Sequence, residues 1–251
     1  MSQRTPCLVV VSAHAGDFVW RAGGAIAAAA LRGERAVVIC LSYGERGESA
    51  SQWLAGRGLD EIKAIRRAEA TEAANALGAE IEFLDLGDYP LRESPEVVAT
   101  LVDAFRRLQP TVLLTHPLAD PYNGDHPAAA RMALEARVLA QAIGVANADG
   151  GYPRPDDVIG APPVFFFEPH QSEQSGFTPG VLLDITTAFP RKRAAMECLP
   201  AQQHMWSYYT DLAVRRGVQL KRNAGPNLGL AHETMAEAYM RYYPQVTDVL
   251  A

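Results

Sequence analysis

An α/β fold with a Rossmann-like, mostly parallel sheet and helices on both faces follows from three features of the 251-residue chain. Short apolar runs rich in Val and Ile alternate with longer helical patterns through about residue 143, which is how successive βαβ units read. The first two runs are apolar at nearly every position, as strands covered on both sides are. Polar and charged residues collect directly after the runs, where an open sheet of this kind binds its ligands.

The elements follow in order. CLVVVS at 7–12 is a buried strand, 24–32 an Ala-rich helix and AVVICL at 36–41 a second strand, together one βαβ unit. Asp60 is the expected N-cap of a helix over 60–77 that Gly78 stops, ahead of a third strand at 80–84. Residues 95–108 repeat the helix, TVLLT at 111–115 is a fourth strand, and 127–143 is a helix opened by Pro127, with Asp125 and His126 just ahead of it. The alternation ends in the Gly/Pro/Asp-rich stretch 147–163. Two further strands at 164–167 and 181–184, helices at 200–217 and 232–241, and a loop at 223–229 complete an extra, largely helical C-terminal section. One domain over 1–251 is expected, its core about 1–146 and its section about 164–251 contributing to the site.

Composition narrows the function. With 23 Lys and Arg against 29 Asp and Glu, the net charge of −6 carries no block of like charge that would attract nucleic acid or an anionic membrane. No apolar run reaches the roughly 18–20 residues of a membrane span, and MSQRTPCLVVVSAH enters a strand without a cleavage site, so a cytoplasmic location is expected. Cys7, Cys40 and Cys198 are odd in number and lack CxxC spacing, which points away from a disulfide framework or a thiolate zinc site.

Four loops after strands carry the chemistry. His14 and Asp17 lie three residues apart after the first strand, and His126 follows the fourth. Two imidazoles and a carboxylate with a position left for water are a catalytic zinc set; taken singly, each residue reads more readily as a helix cap or a local hydrogen bonder, and it is their occurrence together at strand ends that reverses the preference. Residues 43–49 (YGERGES) supply carboxylates after the second strand, and 168–171 (EPHQ) a further imidazole.

Residues 10–27, VVSAHAGDFVWRAGGAIA, resemble the opening motif of the PIG-L (LmbE-like) family of zinc-dependent enzymes, and NGDHP at 123–127 resembles its second metal motif. The resemblance implies a Rossmann-like fold, one Zn2+ per subunit, and His14, Asp17 and His126 as its ligands. The deacetylases of that family carry an aspartate general base where this chain has Gly16, and an oxyanion-supporting histidine where it has Asn123. Glycine cannot take a proton, so amide hydrolysis by the usual route is not expected. The blocks LSYGERGESA, DPYNGDHP, GAPPVFFFEPHQSEQ and RGVQLKRN resemble instead a hydratase branch of the family that serves bacterial gallate degradation, adding water to a conjugated double bond of an oxo-tricarboxylate. That resemblance implies Glu48 and His170 as the acid/base pair, with the division between them open.

A small tricarboxylate needs fixed cations and polar contacts, for which Arg46, Arg67, Tyr122, Asn123 and Arg222 are the expected substrate-binding residues; Arg21 and Lys221 are further candidates. At least one of Arg66 and Arg67 is expected on a solvated helix face. His116 and Asp120 read as ligand-orienting groups or, more simply, loop hydrogen bonders, and His204 and His232 as structural. Glu48 by itself reads as readily as a loop carboxylate paired with Arg46, and His170 as a polar cover on a strand end. The competing functions are a zinc-dependent N-deacetylase or amidase, which would need Glu48 as its base, and a non-catalytic ligand-binding homologue. Trp53, 147–163 and the C-terminal helices are the surfaces on which a homo-oligomer would form.

Overall fold

The computed structural model describes residues 5–224 and 230–246. Its centre is a seven-stranded sheet of β1 (Cys7–Ser12), β2 (Arg35–Cys40), β3 (Glu80–Phe83), β4 (Val112–Thr115), β5 (Val164–Phe167), β6 (Val181–Asp184) and β7 (Ala236–Arg241), in the order β3-β2-β1-β4-β5-β7-β6. The first five strands in that order are parallel, while β7 runs antiparallel to both β5 and β6. Every residue of β1 is buried, as expected of a central parallel strand. Because β2 and β3 extend the sheet to one side of β1, and β4 and β5 to the other, the winding reverses between β1 and β4. The loops leaving those two strands therefore part and open a crevice.

Helices cover both faces. Helices α1 (Asp17–Leu31), α3 (Leu59–Leu77), α6 (Phe189–Glu197) and α7 (Met205–Ala224) pack one side through Phe18, Ile26, Ala73, Leu77, Met196 and Tyr209. Helices α4 (Pro95–Leu108) and α5 (Asp125–Leu139) pack the other through Leu101, Phe105, Met132 and Ala136. Full burial of a Leu, Ile, Phe or Met side chain among these stabilises by about 1.5–3 kcal/mol. Ser94 caps α4 by accepting from Val97 N at 3.3 Å, and Gly78 ends α3 at φ 80°, a left-handed turn that glycine adopts without strain.

Several boundaries differ from the sequence expectation. Helix α1 begins at Asp17 rather than 24, since only residues 13–16 separate it from β1. Helix α5 begins at Asp125, so Asp125 and His126 lie in its first turn instead of ahead of it. Gly58, not Asp60, is the N-cap of α3; Asp60 sits in the first turn, where the helix dipole favours an acid. A short helix, α2 (Ala50–Leu54), follows the second strand's loop. The expected helix over 200–217 divides into a 3-10 turn (Pro200–Gln202) and α7, which continues to Ala224. The expected helix over 232–241 is a strand: AEAYMR is composed largely of helix formers, yet β7 gains ladder bonds from β5 and β6 together, and tertiary pairing overrides propensity. Among the described residues the C-terminal section thus holds three strands, β5, β6 and β7, as well as the two helices α6 and α7. Of the expected loop at 223–229, residues 225–229 lie outside the described residues. No described helix is long and apolar enough to cross a membrane.

Candidate active site

The turn between β1 and α1 presents His14 and Asp17 together. Asp17 Oδ2 accepts from His14 N at 2.9 Å and stands 3.0 Å from His14 Nδ1. From the far side of the crevice, the first turn of α5 brings His126 Nε2 to 3.4 Å from Asp17 Oδ1. One ligand atom from each of the three buried residues falls within 4.8 Å of the others. The structure thus assembles the triad that the spacing suggested.

Each imidazole is fixed from behind by a carboxylate. His14 Nε2 donates to Asp125 Oδ2 at 3.1 Å, and His126 Nδ1 donates to Asp120 Oδ2 at 2.7 Å. Asp125 also accepts from Tyr89 N and Leu91 N, both at 2.9 Å. Burial works to raise its pKa, but the His14 bond and these backbone donors bring it down to about 2. Burial likewise opposes ionisation of Asp17, and the neighbouring His126, His116 and Arg21 hold it well below the usual carboxylate range. His126 Nε2 is buried and has no hydrogen-bond partner, the condition of an imidazole nitrogen arranged for a cation. An N2O donor set with outer carboxylates fits a borderline divalent metal such as zinc.

His116 lies beneath this layer. Its Nε2 accepts from Ala13 N at 3.0 Å, and its ring stacks on His126 at 4.1 Å. Burial and the adjacent His126 push its pKa well below the ordinary value, leaving it a neutral support. Arg21, one turn into α1, reaches 3.7 Å from Asp17 Oδ1 and 3.4 Å from His126 Nδ1.

Glu48 arrives on the loop after β2. Gly44 makes that approach feasible: its φ is 68°, and a Cβ there would lie 2.9 Å from Glu48 Oε2. Glu48 Oε1 is 3.7 Å from His14 Nδ1, while Oε2 accepts from Arg66 Nη2 at 3.3 Å. Burial, then the charge of Asp17, raises the Glu48 pKa against the opposing pull of His14 and Arg66, a direction suited to a proton acceptor near neutrality. A Cβ on Gly16 would sit 3.2 Å from Glu48 Oε2 and only 2.5 Å from Gln202 Oε1. The room a side chain at position 16 would need is thus filled by Glu48 and Gln202.

His170 follows β5, half-buried, with its ring 4.4 Å from Tyr208 and its backbone oxygen accepting from the Tyr208 hydroxyl. Burial and then Arg21 lower its pKa. Its Nδ1 is buried without a partner.

The expected substrate contacts separate into two groups. Arg46 Nη1 donates to Asp88 O at 3.0 Å and Glu45 Oε1 at 3.4 Å, with 46% of the side chain exposed, and the ion pair of Glu48 is with Arg66 and not with Arg46. Tyr122 is exposed and donates to Gln174, and Asn123 Oδ1 accepts from Asp125 N at 3.0 Å, holding the start of α5. Arg67 is not brought to the cluster: it is exposed and lies 5.7 Å over the Phe83 ring. Nor is Arg222, exposed in the last turn of α7, about 20 Å along the helix from Tyr209 at 1.5 Å per residue.

Three contributors were absent from the sequence reading of the site: Arg66, Gln202, and Asp125 as the carboxylate behind His14. Arg66 had a signal, because Ile62, Arg66, Ala70, Ala73 and Leu77 form one helical stripe, all buried, to which Arg67 does not belong. Gln202 had none.

Residues 9–137 match the PIG-L family, described as GlcNAc-PI de-N-acetylase. The chain is 48% identical over 244 residues to a 4-oxalmesaconate hydratase of Pseudomonas putida, covering 97% of this chain and 92% of that one. It superposes on the solved structure of GalB, the 4-carboxy-2-hydroxymuconate hydratase from Pseudomonas putida KT2440, with a TM-score of 0.92 and 48% identity over 98% of this chain and 100% of that one. The N,N'-diacetylchitobiose deacetylase of Pyrococcus horikoshii shares the fold, with a TM-score of 0.73 at 21% identity over 95% of this chain and 84% of that one.

Proposed function

The chain belongs to the PIG-L family, and we propose that within it this protein is a metal-dependent hydratase, adding water to the conjugated double bond of 4-oxalomesaconate to give 4-carboxy-4-hydroxy-2-oxoadipate. The observation that carries the reading is the exchange at position 16. Glycine supplies no hydrolase base there, and a different carboxylate, Glu48, stands beside that position on the loop after β2.

His14, Asp17 and His126 are proposed to hold one zinc ion, which when bound supplies a Lewis acid able to make water acidic near neutral pH. Glu48 takes the proton as the water oxygen bonds to one alkene carbon, and the electron pair of the double bond moves into the conjugated carbonyl. His170, entering from the loop after β5 on the other side of the β1–β4 pair from Glu48, delivers a proton to the neighbouring carbon. The elements of water are thereby added with nothing oxidised or reduced. Proposed contacts for the substrate carboxylates are the half-exposed Arg46 with Tyr122 and Asn123 at the mouth; the positions of Arg67 and Arg222 give them no part.

The test is loss of the conjugated ultraviolet absorbance of 4-oxalomesaconate with metal-loaded protein, beside Glu48→Gln and an N-acetylglucosamine-type amide. The expected result is turnover that drops about 10²–10⁴-fold in Glu48→Gln, with no amine released. Amine release without absorbance loss would return the deacetylase reading to first place.

A further inference from the structure

Glu48 sits on a loop, yet both of its oxygens are aimed. Oε1 faces His14 Nδ1 at 3.7 Å, and Oε2 accepts from Arg66 Nη2 at 3.3 Å. Arg66 is itself immobilised at 0% exposure. Its Nη1 donates to Glu69 Oε2 at 2.6 Å, its Nε to Tyr43 O at 3.3 Å, and its Nη2 also to Gln202 Oε1 at 3.1 Å. Gln202 Oε1 in turn accepts from Trp20 Nε1 at 3.4 Å. Glu69 alone would serve to balance the Arg66 charge, so the second edge of the guanidinium remains for Glu48. A planar guanidinium donates in fixed directions, which a point charge such as an ammonium does not.

The clamp draws on four separate segments: Arg66 and Glu69 from α3, Glu48 from the loop after β2, Trp20 from α1 and Gln202 from the 3-10 turn of the C-terminal section. It also occupies the ground at position 16, where a Cβ would come within 2.5 Å of Gln202 Oε1.

We infer that Arg66 is a positioning residue, which with Gln202 aims the Glu48 carboxylate at the reacting water. The inference rests on the proposed role of Glu48. Arg66 acts through Glu48 alone, so its removal costs turnover and spares substrate affinity.

The experiment is a mutant cycle in the full-length, metal-loaded protein, with kcat and KM followed by ultraviolet absorbance and the metal site by the visible spectrum of the cobalt-substituted form. Arg66→Met/Glu69→Leu removes both buried charges together, avoiding an unpaired Glu69, and Arg66→Lys keeps the cation without the fork. The expected kcat losses are about 10²-fold for the double replacement and about tenfold for Arg66→Lys, since misplacement of a reacting group by about 1 Å costs on that order. KM stays within about threefold, and the cobalt spectrum is unchanged. Combined with Glu48→Gln, the double replacement costs less than about threefold more, because the two act as one unit. Full multiplication of the two losses, or a loss confined to KM, overturns the positioning role. Undiminished turnover in Glu48→Gln alone overturns the reading on which it rests, and is distinguished from a positioning failure, in which Glu48→Gln is impaired and the Arg66 variants are not.

Discussion

In the half of the site formed by His14, Asp17 and His126, each imidazole is held at one nitrogen by a buried carboxylate, Asp125 or Asp120, and faces Asp17 with the other. In the half formed by Glu48 and His170, the groups come from loops after β2 and β5, Glu48 steered by Arg66 and His170 half-buried against Tyr208. The first half is built within two strand-to-helix turns and presets a coordination geometry. The second gathers side chains from distant segments and, on the proposed reading, decides what is done there. On that reading, the family's fold keeps its metal motif while the reacting carboxylate is moved from one loop to another.

The comparison is tested most severely by Gly16→Asp. The new side chain meets Gln202 and Glu48 at once, so hydration should fall by at least about 10²-fold, measured as kcat/KM, with metal content kept and no amide cleavage gained. A variant that retained hydration would break the claim that the two carboxylate positions exclude one another. Next comes Asp125→Asn. An amide offers one acceptor oxygen, and Asp125 uses both of its own, on His14 with Tyr89 N and on Leu91 N. Metal affinity should weaken about 10–100-fold in a chelator competition, with kcat restored at saturating metal.

His170 gives a pH prediction. Burial, then Arg21, places its pKa below the ordinary value of about 6.5. As the proposed acid it must carry a proton, so kcat/KM should fall with rising pH along a limb centred below about 6.5, and that limb should vanish in His170→Gln. If it persists, another group is the acid. The smallest effect belongs to Arg67→Ala. Exposed over Phe83 and away from the cluster, it should change stability by no more than about 0.5 kcal/mol in denaturant titration and kcat/KM by less than about twofold.

The parallel core and the candidate metal triad were legible because their determinants are local. Strands buried on both faces read as apolar runs, and ligands of an open sheet must lie just past them, which places His14, Asp17 and His126 before any coordinates. Choosing between Arg66 and Arg67 required helix phase, and the apolar stripe holds it, yet a charged residue on a buried stripe runs against the usual prior. The error at β7 has a similar root: Ala, Glu and Met favour a helix until two strands offer a ladder, and no window of ten residues contains that information.

From the sequence came the Rossmann-like, mostly parallel class, the crevice at its strand ends, the three candidate metal ligands and, through the family resemblance, the absence of the deacetylase base at position 16. Tertiary structure decided that Glu48 fills the space beside Gly16, that Arg66 and Gln202 aim it, that Asp125 and Asp120 orient the imidazoles, and that 236–241 joins the sheet. The dividing line is physical. Periodicity and strand-end placement are properties of a short stretch of chain, whereas a hydrogen bond between residues 66 and 202 exists only once the packing of α3 against the C-terminal section has brought them together.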